Sequence, residues 1–291
     1  MTGEDIMKLG IAFAAADFTL RPDKMAQAVQ ERGFESLFFT EHTHIPATST
    51  TRALMERAQG NEIPEHFRRA YDVFVALSFA AAATDTLNLG TGVCLVAERD
   101  PIVTAKAVAS IDELSGGRFL FGIGAGWIPQ ETANHGLVPS DRWAVMDEHM
   151  RAMCRIWSQD VAEFEGDHVQ FGPLFSWPKP RQLPWPPILV GGAGKGAIAR
   201  VLEYGSEWLP QGGIPAPVLA TRIAALRTAA VERGRTGDIP VTVFDAPLQA
   251  RELEAYREAG VTRALFSAPS AEEETVLRYL DDVRRLADEL H

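Results

Sequence analysis

The chain has 291 residues, 46% hydrophobic and 23% charged, with a formal charge of −11, which suits one large domain with a sizeable core. So acidic a surface argues against non-specific binding to nucleic acid or to an anionic membrane, and no apolar run approaches the ~20 residues of a membrane span. The acidic first ten residues lack the pattern of a secretory signal, and the two cysteines, Cys94 and Cys154, fit free thiols in a reducing compartment, so a cytoplasmic protein is expected.

In chain order, short apolar runs alternate with amphipathic stretches. Residues 8–14 (KLGIAFA) predict a buried strand. A helix follows that opens at Pro22, repeats Met25, Ala28 and Val29 at helical spacing and stops at Gly33. A second strand is predicted at 35–42 (ESLFFTEH), then a polar stretch with little periodicity at 43–66, then a strong helix over 68–85. The third strand is predicted at 87–96 (LNLGTGVCLV), and the helix at 100–117 has a proline near its start and paired glycines at its end. RFLFGIGAG predicts the fourth strand, with a helix over about 140–158. Residues 162–171 predict a small hairpin turning at Glu165–Asp167, before a Pro/Trp-rich segment whose tryptophans are expected to pack. Strands at PPILVGG (186–192), SEWLPQG, IPVTVFD and VTRALFSA, each followed by a helix, complete the chain.

Eight strands, apolar on both faces and each followed by a helix, predict an α/β fold: a closed (β/α)8 TIM barrel rather than an open doubly wound sheet. One domain over 1–291 is expected, with insertions after strand 2 (about 43–66) and before strand 5 (about 159–185).

The run Gly122-Ile-Gly124-Ala-Gly126 spaces its glycines as G-x-G-x-G, sits on the fourth strand and is followed by Pro129, so it is not a dinucleotide-binding turn. Two readings stay open: a crowded barrel interior, or room for a flat ring to approach the backbone. In such barrels the site lies at the C-terminal strand ends. Glycine dominates the third, fourth and fifth of these ends, and Glu41 and His42 close the second. The segment GGAGKGAIAR sets a glycine-rich loop with Lys195 before a helix, either a phosphate nest or a plain strand-to-helix turn. A flat phosphorylated cofactor matches this set of strand ends. His42 is a candidate general acid/base or a structural histidine, and Glu41 either contacts the cofactor or orients His42. His44 completes a His-x-His, but later strand ends offer only Asp245 as a further ligand, so no metal is expected. Asp100 reads as a helix cap beside Arg99, and Cys94 as a small buried side chain.

The blocks ESLFFTEH, LNLGTGVCLVAERDPIVTAKAVASIDELSGGRFLFGIGAGW and PPILVGGAGKGAIARVLEYGSEWLP, in this order, resemble the luciferase-like monooxygenase superfamily, and within it the coenzyme F420-dependent oxidoreductases. The resemblance runs from about Leu9 to Pro210 and is more specific for the superfamily than for a substrate. It implies a deazaflavin at the barrel mouth, with Glu41 at the ring region and His42 near the reactive carbon. Many relatives have Asp-His there, so Glu41 reaches one methylene further. It also implies a bulge with a non-prolyl cis peptide at Gly92–Val93 and Leu95 beside the ring. Ala125, Gly126 and Gln130 match positions near the ribityl chain, and Gly191, Gly192, Gly194 and Lys195 match the phosphate loop. Where sugar-phosphate dehydrogenases of the family carry a proton-handling glutamate, this chain has Trp127, which argues against their substrate. The implied activity is hydride transfer between F420 and a small organic substrate, in a homodimer. An FMN-dependent monooxygenase is the alternative within the superfamily. A metal-dependent hydrolase and a non-catalytic cofactor-binding protein are the readings outside it.

Overall fold

Side chains that alternate along each strand between two apolar surroundings account for the architecture. In the computed structural model, which describes residues 7–59 and 63–289, the strands are β1 (Lys8–Phe13), β2 (Ser36–Phe39), β3 (Asn88–Thr91), β4 (Cys94–Leu95), β5 (Phe119–Gly124), β6 (Val161–Glu165), β7 (Gln170–Phe175), β8 (Ile188–Gly191), β9 (Glu207–Leu209), β10 (Thr242–Phe244) and β11 (Arg263–Ser267). The helices are α1 (Pro22–Glu31), α2 (Ser49–Gln59), α3 (Glu65–Arg68), α4 (Val73–Ala82), α5 (Pro101–Leu114), α6 (Pro129–Asn134), α7 (Arg142–Ser158), α8 (Lys195–Glu203), α9 (Ala216–Glu232), α10 (Ala250–Glu258) and α11 (Glu273–Asp288).

The main sheet is parallel and runs β10-β11-β1-β2-β3-β5-β8-β9. Parallel bridges Trp208–Val241 and Gln211–Phe244 join β9 back to β10 and close the ring. Ala12, Phe38, Leu120, Leu189, Leu209 and Leu265, one from each of six strands, meet inside the ring as a separate core. Their neighbours Ile11, Phe13, Leu37, Phe39, Ile188, Val190 and Phe266 pack outward with the helices. Period-two alternation between two apolar layers is what makes each strand read as continuously hydrophobic. The predicted (β/α)8 barrel is therefore the observed fold.

Four local differences have physical causes. The stretch 43–66 contains α2 and the start of α3; Thr48 Oγ1 accepts the Thr51 N–H at 3.1 Å and so opens α2. The helix expected from 68 begins at Val73, because Asp72 Oδ1 accepts the N–H groups of Phe74 and Val75, both at 3.0 Å. The third barrel strand is broken into β3 and β4 around a cis Gly92–Val93 peptide. Leu89 lies opposite Phe119 and Cys94 opposite Ile123, so this strand holds one more residue than its partner between those pairs, a bulge. Trp177, expected to pack, is 58% exposed, whereas Trp208 is fully buried.

The hairpin is present as β6–β7. Its turn is held by Glu148 of α7, which accepts N–H groups from Asp167, His168 and Val169 at 2.9, 2.7 and 3.0 Å. At the N-terminal end of the barrel, Arg263 donates to Glu35 through Nε and Nη2 (2.8 and 3.0 Å) and to Glu207 through Nη1 (2.8 Å). Thr242 Oγ1 also donates to Glu207. Every charge in this plug has an opposite partner, the condition under which buried ions are tolerated.

Candidate functional site

The C-terminal strand ends converge on a cavity of about 440 Å³, within the ~300–1,000 Å³ range of small-molecule sites. Ala12–Ala14 at the end of β1, Thr40–His42 after β2 and the Gly92–Val93 bulge line one half. Trp127, Gln211, Phe244–Asp245 and Ser267–Ser270 line the other, and His66 and Phe67 from the first insertion overhang it. Asp245, at φ 59°, is the one non-glycine residue with positive φ among the described residues.

His42 is almost wholly buried, and its Nδ1 lies 2.9 Å from Glu131 Oε2, a side chain with no exposure at all. A carboxylate acceptor there places the hydrogen on Nδ1 and leaves Nε2 as the second functional nitrogen of a residue that lines the cavity. The Phe67 ring centroid stands 4.7 Å from the imidazole and the Trp127 ring edge-on at 6.5 Å, so aromatic walls fix its orientation. Burial, reinforced by His42, holds His66 below its ordinary value.

Glu41 lines the cavity but does not orient His42. Its Oε2 accepts the Leu95 N–H at 2.6 Å and its Oε1 accepts Arg99 Nε at 2.7 Å and Nη2. Arg99 Nη2 also donates to Asp72 at 2.8 Å. Glu41 therefore anchors β4 behind the bulge, and Glu131, not Glu41, orients His42. Asp100 caps α5 as predicted, accepting the Val103 N–H at 2.8 Å. Cys94 is fully buried, and burial together with the Glu41 carboxylate pushes its thiol well up; burial alone pushes Cys154 up to about 12. Neither thiol has the electropositive setting of a reactive cysteine.

The glycines divide between the two open readings. Glu41, His42, Gly92, Val93 and Leu95 line the cavity, while Ala125, Gly126, Gln130, Gly191, Gly192, Gly194 and Lys195 lie outside its lining. A Cβ on Gly124 would meet Val93 Cγ2 at 2.7 Å, and one on Gly191 would meet Val93 Cγ1 at 3.3 Å, so these glycines make room for the bulged valine. Gly126 has φ +78°, and a Cβ there would meet Glu98 Oε1 at 2.8 Å. Crowding explains these positions before any ring is considered. Gly192, Gly194 and Lys195 remain open to solvent, and no side chain caps the start of α8. Its first-turn N–H groups can therefore meet an anion. Gln130 Oε1 is buried without a hydrogen-bond partner, an acceptor that a hydroxylated cofactor chain could satisfy. The residues present thus fit a phosphorylated cofactor lying from the bulge towards α8.

Glu98 and Glu131 are what the sequence reading missed. Both side chains have no exposure, and Glu98 Oε1 accepts Thr132 Oγ1 at 2.9 Å. Glu98 Oε2 and Glu131 Oε1 are buried with no partner. Burial, then the neighbouring Glu131, pushes the Glu98 carboxyl up to about 8. The available signal was weak: each glutamate follows a strand end, Glu98 three residues after the last residue of β4 and Glu131 in the short α6 opened by Pro129. Among the described residues no group of three His, Cys, Asp or Glu side chains is arranged to hold a metal ion, and no helix is long and apolar enough to cross a membrane.

The chain is 32% identical over 291 residues to an uncharacterized protein of Mycobacterium tuberculosis (strain ATCC 25618 / H37Rv), covering 98% of this chain and 99% of that one. It is 29% identical over 301 residues to the F420-dependent glucose-6-phosphate dehydrogenase of Kineococcus radiotolerans, covering 98% and 80%. It is 31% identical over 190 residues to the FMNH(2)-dependent dimethylsulfone monooxygenase of Pseudomonas putida, covering 64% and 51%. Among solved structures, an F420-dependent secondary alcohol dehydrogenase superposes with a TM-score of 0.76 at 17% identity over 98% of this chain and 99% of that one, a likeness of fold. The family model for luciferase-like monooxygenases matches residues 23–289, and with a closed parallel barrel and a cavity at its C-terminal strand ends this chain belongs to that family.

Proposed function

We propose that this protein is an oxidoreductase that transfers a hydride between the deazaflavin coenzyme F420 and a small organic substrate, with His42 as the group that takes or gives the substrate proton. The observation that carries the reading is the His42–Glu131 pair at 2.9 Å on the wall of the cavity. A fixed imidazole with one free nitrogen can serve as a general acid/base. When bound, F420 supplies the hydride chemistry. The protein's share is to hold it, to shield the site with Trp127 and Phe67, and to move one proton at His42 Nε2. Support for F420 comes from the relative that matches nearly the whole chain, from the open glycine loop at α8, and from the bulge at Gly92–Val93. Reduced FMN with oxygen is the second reading, favoured by the dimethylsulfone monooxygenase relative, which matches 64% of the chain. Parallel titration of the purified protein with F420 and FMN, followed by absorbance and fluorescence, separates them. F420 binding in the micromolar range or tighter, with FMN much weaker, is expected; the reverse order overturns the proposal.

A further inference from the structure

We propose that the cavity takes a substrate with an apolar or aromatic body and a protonated amine, and that Asp245 reads the positive charge. The inference rests on the reading of this cavity as the substrate site and concerns which molecules enter it.

The charges at the cavity are one-sided. No lysine or arginine lines it among the described residues, and residues 60–62 of the first insertion, Gly-Asn-Glu, add none. Arg99, behind the bulge, is committed to Glu41 and Asp72. Of the two lining carboxylates, Glu41 is therefore already compensated, by Arg99 and the Leu95 N–H. Asp245 lines the cavity and is exposed, and its carboxylate makes no hydrogen bond or ion pair with the described residues. The groups around it bring no positive charge. Burial, with the Asp245 carboxylate, pushes the Tyr279 phenol up, so it stays protonated and neutral. Burial and His42 hold His66 low, so at neutral pH it is uncharged. An anionic group would leave water for a site with a free negative charge and no free cation, which is unfavourable on both counts. A protonated amine instead gains a charge-assisted hydrogen bond from the free carboxylate.

The backbone singles out the same residue. Asp245 stands at φ 59°, a left-handed conformation that Asp and Asn tolerate best among residues with a side chain. It is clamped on both sides. The Phe244 N–H bonds the Pro210 carbonyl at 2.9 Å, the Gly212 N–H bonds the Phe244 carbonyl at 2.6 Å, and the Ala246 N–H bonds the Leu265 carbonyl at 2.8 Å. Gly212 makes the close passage possible, since a Cβ there would lie 2.0 Å from the Asp245 carbonyl oxygen. Such a conformation persists only where its surroundings hold it, and here it is held at the C-terminal end of β10, the end at which this fold places its sites.

The remaining walls suit the rest of such a substrate. Phe67, Trp127 and Phe244 bring aromatic side chains to the cavity, which shelter an apolar body and attract a cation. Gln211, Ser267 and Ser270 offer hydrogen bonds without charge.

Three probes with one body and three charges test this: benzylamine, protonated at pH 7.5, benzyl alcohol and benzoate. Each is titrated into the protein by calorimetry, with and without F420. Benzylamine should bind roughly tenfold more tightly than benzyl alcohol, and benzoate more weakly than either. Asp245→Asn, which tolerates the same backbone, should abolish the advantage of benzylamine and leave benzyl alcohol unchanged. Asp245→Gly, free of any backbone cost, should do the same, so a folding defect in one variant does not hide the answer. Equal binding of all three probes, binding of none, or an advantage that survives both substitutions overturns the proposal. If the probe order stands in a protein that does not bind F420, the functional reading alone falls. If F420 binds and the order is missing, this inference alone falls.

Discussion

The two ends of the barrel bury acidic clusters of the same residue type and treat them in opposite ways. At the N-terminal end, Glu35 and Glu207 both accept from the guanidinium of Arg263. At the C-terminal end, Glu98 and Glu131 have no cation between them and one orphan oxygen each. Burial alone would raise Glu35, but Arg263 outweighs it and holds the carboxyl below the usual range, whereas at Glu98 burial and the neighbouring Glu131 outweigh the hydrogen bond from Thr132 and send the carboxyl up to about 8. The comparison teaches that depth does not decide a carboxylate's role. The neutralised cluster is tied down and keeps its charge, while the uncompensated one gives up its charge more readily, at the end of the barrel where such folds place their sites.

The sharpest way to separate the ends is by what their variants lose. His42→Ala should reduce turnover by roughly a hundred- to ten-thousandfold, with cofactor affinity largely kept. The check is single-turnover oxidation or reduction of the cofactor in wild type and variant across pH, and equal rates would remove His42 from the chemistry. At the other end, Arg263→Ala strands Glu35 and Glu207 without their shared cation and should cost about 3–5 kcal/mol of folding stability. Denaturant titration reads this loss, and a change within error of zero would mean that the plug is ornamental.

The two clusters should also answer pH with opposite signs. For Glu98 the folded value lies above the unfolded one, so its stabilising contribution is complete below about 4.5 and is lost as pH rises towards about 8. The slope is at most ~1.4 kcal/mol per pH unit. For Glu35 the folded value lies below the unfolded one, so its contribution is present at neutral pH and is lost as pH falls through the folded value. Denaturation midpoints from about pH 2 to 9 should therefore flatten above about pH 4.5 in Glu98→Gln only, and lose the acid-side drop in Glu35→Gln only. The smallest effect is expected away from both ends, at the exposed start of α8. Lys195→Ala should weaken cofactor binding roughly tenfold, about 1.4 kcal/mol, with little change in the chemical step. An unchanged dissociation constant would remove Lys195 from the phosphate contact.

Local patterning made most of the barrel legible. Apolar runs bounded by Pro22, Gly33 or Asp100 mark strands and helices through short-range geometry alone. Asp100 capping α5 and Pro129 opening the six-residue α6 follow from residues within one turn. Where a side-chain hydrogen bond competes with periodicity, the boundaries moved, as at Asp72 and Thr48. The site was legible only as a set of strand ends. Glu41 and His42 are adjacent in the chain, yet one faces Leu95 and Arg99 and the other Glu131, because successive residues at a strand end point to opposite sides.

What the amino-acid sequence determined by itself is the alternation of strands and helices, their closure into a ring of eight, and the location of glycines and ionisable groups at one face. These depend on residue periodicity and on contacts a few positions apart. Tertiary structure alone decided that the third strand breaks into a bulge, that Val93 fills the space left by Gly124 and Gly191, and that His42 meets Glu131 across 89 positions of chain. It also decided which buried carboxylates found a cation. Arg99 and Arg263 each stand within reach of a glutamate only after the barrel closes, and the charge of a buried acid is set by the neighbours that closure brings to it.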